Sequence, residues 1–585
     1  MALTDRRDAV GDVATGVVRR VNGPLVDVDG LPSDAGLLDL VEVGRSGYLG
    51  EIVALRGEGV RVQVYEYTGG LRPGEPARWL AVPLSAPLGP GLLGGVFDGL
   101  LRPLVGAPRW LVPGSLDRQV DGRRWTWTPV AAVGASVAAG AVLGRVDETP
   151  AIPHPILVPP GVEGRLEWLH GEGEVAAADR VATVDGVDVP LVGAWPVRRP
   201  RPYAERLPSG PPLITGQRVL DLLQPVAKGS TAAVIGGFGT GKTLLLQQLA
   251  KWCDAEVIVY VGCGERGNEL SDAIDDLERL EDPRSGRKLS ERTVIIGNTS
   301  NMPVMARESS IHTGMTVAEY YRDLGYDTVV VADSTSRWAE ALREFSSRSG
   351  ELPAEEGYPA GLASALAAFY ERAARVRTLG GQVASTTLVA SVSPPGGDLT
   401  EPVSAHTQRF ARSLWALDRD LAYARHYPAV AWRSSFSRDV GALGTWYSAH
   451  DDPAWARRRA RLESLLADAD RLQAVAELVG LGALPGHERA VLLTARLIRE
   501  ALLQQNALSS NDAYCLPSKQ AALADAVLAV HDRAQELVEA GLPATLLEQA
   551  DLSPLVRARD DLAPGDAAGV GVVLDRVLAD MERLR

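Results

Sequence analysis

The chain carries one segment that leaves little freedom of interpretation. Residues Gly236, Gly237, Phe238, Gly239, Thr240, Gly241, Lys242 and Thr243 spell G-x-x-x-x-G-K-T. The apolar run Thr231-Ala232-Ala233-Val234-Ile235 precedes them, and a helix-forming run from Leu244 to Trp252 comes directly after. A strand, a glycine turn and a helix start in that order predict a phosphate cradle. Loop N–H groups point inward, and the helix N-terminus adds partial positive charge. Lys242 is placed to reach the β- and γ-phosphates of a nucleotide, and the Thr243 hydroxyl to hold Mg²⁺. Only five of the 60 basic residues are lysines, at 228, 242, 251, 288 and 519. One of them stands where the loop needs a slim ammonium that a planar guanidinium cannot replace.

A phosphate loop says nucleotide but not what is done with it. The run Glu256–Val261 enters Gly262-Cys263-Gly264-Glu265-Arg266-Gly267. Parallel sheets carry functional groups at the carboxyl ends of their strands. Glu265 there can orient and polarise an attacking water, and Arg266 can neutralise charge on a γ-phosphate. A Glu-Arg pair is ordinarily a surface ion pair; two flanking glycines at a strand end favour the functional reading. A third strand, Asp327–Ala332, ends in Asp333, the carboxylate expected in a Mg²⁺ shell. Many strands end in Asp only to cap the next element. After a phosphate loop and a Glu-bearing strand, the magnesium role is the stronger one. Arg337, four residues on, can turn back toward the phosphate.

At 585 residues, three or four domains are expected. The fold class expected is multidomain α/β. Short strands separated by Gly and Pro over 1–80 predict an N-terminal β-barrel. Residues 81–110 read as a Pro/Gly-rich connector, and 111–195 as an inserted β module. Residues 196–440 alternate apolar strands with helical patterns, which predicts a parallel α/β nucleotide domain. Residues 441–585 read as a helical domain. The net charge of −14 argues against nucleic acid as a partner. Three cysteines exclude a disulfide framework. The N-terminus lacks the apolar core of a signal peptide, and no apolar run has transmembrane length. A soluble, cytoplasmic protein is therefore expected.

Several longer stretches resemble the catalytic A subunit of V-type and A-type rotary ATPases. They are 260–272 (Tyr-Val-Gly-Cys-Gly-Glu-Arg-Gly-Asn-Glu-Leu-Ser-Asp), 297–308, 332–344, 392–398, and 504–507 with 512–515. The insertion at 111–195 separates that family from the F-type β subunit. The resemblance implies a barrel, a bulge domain, a RecA-like domain and a C-terminal helical bundle. It implies turnover of Mg²⁺ with ATP or ADP at the interface with a B-type subunit, in an A3B3 hexamer whose B subunit supplies an arginine finger. It further implies central and peripheral stalk subunits, coupling to proton or sodium transport, and a peripheral head on the cytoplasmic face of a membrane. By the same resemblance Lys242 meets the β/γ-phosphates, Thr243 the Mg²⁺ and Glu265 the catalytic water. Arg266 and Arg337 meet the γ-phosphate region, and Asp333 the second magnesium shell. Tyr427 stands where the family stacks an aromatic on adenine, which Tyr can also do. Leu508 stands where a second aromatic is common, and Tyr514 is the alternative contributor. Thr240 replaces a cysteine that eukaryotic members can lock in a disulfide.

Three other readings share the core. An F-type or secretion ATPase is disfavoured by the insertion. The non-catalytic sister subunit is expected to lack an intact phosphate loop and the Glu of Gly-Glu-Arg. A hexameric RNA translocase needs basic and aromatic contacts in the barrel. Residues 1–70 have aromatics only at Tyr48, Tyr65 and Tyr67.

Overall fold

A computed structural model describes residues 15–57, 59–107, 123–150, 152–450 and 452–584. Residues 1–14 of the expected barrel, 108–110 of the connector and 111–122 of the inserted module lie outside them. The chain divides into two compact units. One comprises 1–208, 255–392 and 399–410; the other comprises 209–254, 393–398 and 411–585.

The first unit begins with six antiparallel strands closed into a barrel: Thr15–Asn22, Leu25–Asp29, Gly59–Val64, Tyr48–Arg56, Asp39–Val43 and Pro76–Pro83, in spatial order. Side chains alternate across each strand, so Val18, Val26, Val28, Val41, Ile52 and Val62 fill the interior. Closure leaves no free edge. The inserted module is two four-stranded antiparallel sheets packed around Trp127, Leu143, Leu166, Val175 and Val184.

The parallel sheet of this unit runs Val383–Val392, Thr328–Asp333, Val257–Glu265, Thr293–Thr299, Val96–Phe97. Its inner strands are buried on both faces, which is why they read as unbroken apolar runs. The stretch read as a connector therefore contributes an edge strand to the sheet. It also holds Ser85–Leu88, which pairs antiparallel with Gly193–Pro196. Buried polar groups join the pieces. Arg198 pairs with Glu51 of the barrel and, at 2.5 Å, with Glu308 on the helix Val304–Asp323. In the module, His154 meets Glu148 at 2.5 Å and the Tyr320 hydroxyl at 2.7 Å.

The second unit contains the strand Thr231–Ile235, parallel to Ser413–Ala416, and the helix Lys242–Trp252. Its C-terminal part is helical: Trp455–Val479, Gly486–Leu497, Pro517–Glu539, Ser553–Asp561 and Ala567–Glu582. Apolar residues at helical spacing, such as Leu523, Val527 and Val530, face inward. Among the described residues no helix is long and apolar enough to cross a membrane.

Candidate functional site

In the second unit, the buried strand Thr231–Ile235 delivers the chain into the glycine loop. A Cβ on Gly236 would lie 2.7 Å from Thr240 Oγ1 and 2.8 Å from Leu417 Cβ, so no side chain fits there. Gly239 and Gly241 have φ of 78° and 91°, in the left-handed region that glycine adopts without strain. The helix starts directly after Gly241 with no side-chain cap and no acidic residue in its first turn. Its positive end is thus left to an incoming anion. Lys242 Nζ donates to the carbonyls of Gly236 at 2.6 Å and Gly237 at 2.8 Å, so the ammonium is folded over the loop. Thr240 Oγ1 donates to Gly237 O at 2.9 Å and tightens the same turn. Thr243 lies half-buried in the first helical turn, and Phe238 is exposed.

Beside the loop, in the same unit, is a cleft lined by Gln217, Gly241, Leu244, Tyr427, Gln505 and Ala507. The Tyr427 ring lies against Gly241, whose notional Cβ would be 3.7 Å from it. Gln505 N donates to Tyr427 O at 2.7 Å. Tyr514 is elsewhere: its ring stacks on Trp252 with centroids 5.0 Å apart. The cleft lining does not include Tyr514. Trp252, one helix length from the loop, offers it a larger apolar partner. Leu508 is 97% exposed and lines nothing.

In the first unit, Val257–Glu265 and Thr328–Asp333 are neighbouring parallel strands, with Gly262 opposite Asp333. Their ends bring carboxylates together. Burial, then Asp333 and then Glu269 push the Glu265 carboxyl up to about 7; Arg337 opposes them. Asp333 is buried and accepts from Ser391 Oγ at 2.5 Å. Arg337 packs over Gly264, where a Cβ would come within 2.6 Å of its own Cβ. Its Nη1 donates to both carboxylate oxygens of Glu340 at 2.8 and 2.9 Å, one turn along the helix Thr335–Ser349. Arg266 is exposed at the N-cap of the helix Gly267–Arg279. Glu269 and Ser391 are functional neighbours that the sequence reading does not single out. Glu269 sits in the first turn of that helix, four residues after Glu265, and this spacing is the available signal.

The donors present suit a hard divalent cation that arrives with phosphates, since a threonine hydroxyl at a helix start and a buried carboxylate are oxygen ligands. Thr243 of the second unit and Asp333 of the first each offer an oxygen of this kind.

Comparison with known proteins places these features. The nucleotide-binding domain of the ATP synthase alpha/beta family matches residues 216–437, and its β-barrel domain matches 18–79. The family's barrel-sandwich domain matches 115–198, and the C-terminal domain of V and A type ATP synthase matches 444–547. The V-type ATP synthase alpha chain of Nitrosococcus oceani is 50% identical, over 93% of each chain. The chain belongs to the V/A-type ATP synthase catalytic-subunit family. Its relatives include the corresponding A-type ATP synthase chain of Methanopyrus kandleri, 46% identical over 94% of this chain and 95% of that one. A solved structure, the assembled ATPase EscN of the enteropathogenic E. coli type III secretion system, shares the fold. It has a TM-score of 0.62, is 20% identical, and the match covers 88% of this chain and all of that one. The multidomain α/β architecture is that of the family: barrel, inserted β domain, nucleotide domain and helical end.

Proposed function

We propose that the chain is the catalytic subunit of a rotary ATPase head that hydrolyses or synthesises ATP. The observation that carries the reading is the set of groups around Glu265, a carboxyl raised to about 7 beside Asp333 and Arg337 at adjoining strand ends. A carboxylate poised near neutral pH can accept a hydrogen bond from water and orient it for attack on phosphorus. Lys242 leaves the loop carbonyls to meet the β/γ-phosphates, and the N–H groups after Gly241 hold the remaining oxygens. Arg266 and Arg337 offset charge gathering on the γ-phosphoryl oxygens. Thr243 and Asp333 are the residues that would hold a magnesium ion brought with the nucleotide, and the ion would polarise the phosphoryl oxygens. Tyr427 gives the base a stacking face, with Ala507 and Leu244 closing the cleft.

We further infer that the chain assembles into an A3B3 head with a B-type subunit, whose arginine completes the reaction centre, and with stalk subunits that carry rotation to a membrane sector pumping protons or sodium ions. The head then sits at the cytoplasmic face. The RNA translocase and secretion ATPase readings lack this support, since the whole-length relatives are ATP synthase subunits. The test is Glu265→Gln in the reconstituted complex. Nucleotide binding should persist while turnover falls about a hundredfold to a thousandfold. Undiminished turnover would remove Glu265 from the reaction. The isolated chain should turn over ATP feebly; a rate equal to that of the assembled head would refute the shared centre.

A further inference from the structure

Arg218 and Asp512 are both fully buried and pair at 2.6 Å. Neither has a part in the phosphate chemistry above. The rest of the guanidinium is spent on main chain: Nε donates to Leu502 O at 2.7 Å and Nη2 to Gln504 O at 2.6 Å. Its backbone N–H donates to Gln505 Oε1 at 2.9 Å. A buried arginine is tolerable only when its planar fork is matched this closely. The carbonyls it takes lie at the end of the π-helical turn Ile498–Leu503, where the helix supplies no further N–H groups.

These bonds hold the segment beside Tyr427. Gln505, fixed by Arg218, donates from its backbone to Tyr427 O at 2.7 Å and from Nε2 to Gly216 O at 2.8 Å. Asp512 spends its second oxygen on Asn506 N at 2.7 Å. Both ends of Gln505's amide are thereby engaged within the protein, and Ala507, two residues on, joins the cleft wall. Farther along the segment Leu508 points to solvent, while Ser509 and Asn511 bond to Asp560.

We propose that Arg218 is a positioning residue for the base end of the nucleotide: it clamps the 502–512 segment against Tyr427 and so sets the width of the cleft that receives the purine ring. This rests on the reading of the Tyr427 cleft as the base site. The cleft selects by shape and stacking, because its glutamine amide is already committed. Pre-organising such a wall lowers the ordering cost of binding, and the gain belongs to the base alone, not to the phosphates.

Titration calorimetry on the full chain, with Mg-ATP and with Mg-tripolyphosphate, separates the two. Arg218→Lys keeps a cation for Asp512 but cannot reach both carbonyls. It should weaken ATP about tenfold or more and leave tripolyphosphate within about twofold. Asp512→Asn keeps the volume and should show the same selectivity at smaller amplitude. If Arg218→Lys does not fold, Asp512→Asn decides. Equal losses on both ligands, or no loss on either in a folded variant, would overturn the clamp. Failure of the underlying site has its own signature: Tyr427→Ala would then leave the affinity for Mg-ATP unchanged.

Discussion

The glycine loop of the second unit and the Glu265 cluster of the first are built from different materials. The loop at 236–243 is made of backbone: Gly236, which admits no side chain, Gly239 and Gly241 in the left-handed region, an uncapped helix start, and a lysine resting on carbonyls. The cluster around Glu265 is made of side chains from separate strands and helices, and its charge state is set by neighbours. A backbone device fails when something is added to it. A side-chain device fails when a partner is changed. The two therefore answer mutation and pH in different ways.

The largest effect should come from removing the loop's one indispensable side chain. Lys242→Ala should cost about 3 kcal/mol of Mg-ATP affinity, or roughly a hundredfold, by calorimetry. Next is addition. Gly236→Ala forces a Cβ to within 2.7 Å of Thr240 Oγ1 and should destabilise the fold by about 1–3 kcal/mol in denaturant titration. Gly237→Ala meets nothing within 4 Å and should be close to neutral. If the two alanines cost the same, the loop is not packed as described.

The carboxylate cluster is sharpened by pH. Glu269 raises Glu265, so Glu269→Gln should move the acid limb of the pH–rate profile to lower pH. Glu265's folded-state pKa is raised, so the stability it confers is full below its unfolded value and is lost as pH rises through about 7. Glu265→Gln should therefore raise Tm at pH 8 and lose that advantage toward pH 5, as measured by scanning calorimetry. The smallest effect is an expected zero. Thr240 cannot form a disulfide, and Cys253, Cys263 and Cys515 are buried. Mild oxidant should leave turnover unchanged; inactivation reversed by a thiol would contradict this.

The same contrast explains what the sequence reveals. The glycine loop is legible because spacing alone defines a backbone cradle, and the strand-end acids Glu265 and Asp333 are legible because parallel strands present them at their termini. Ser391 escapes notice because it matters through the side chain it faces, which no spacing rule encodes, and Glu269 is signalled only by its spacing of four from Glu265. The neighbour of Tyr514 is hidden from the sequence for a similar reason: nothing in its spacing singles out Trp252, and only packing decides which ring it meets. Residues 81–110 read as a connector because they are rich in Pro and Gly. Val96–Phe97 is too short for a period, and its strand character comes from the register with Ile295 and Ile296.

The pairing of Ser85–Leu88 with Gly193–Pro196 has an architectural consequence. Leu88 lies opposite Gly193, and a Cβ on Gly89 would be 3.0 Å from Val192 Cα. Between these two strands the chain also lays Val96–Phe97 along the host sheet beside Ile295 and Ile296. Cutting the inserted domain out at Leu88 and Gly193 would therefore take an edge strand from the nucleotide sheet with it.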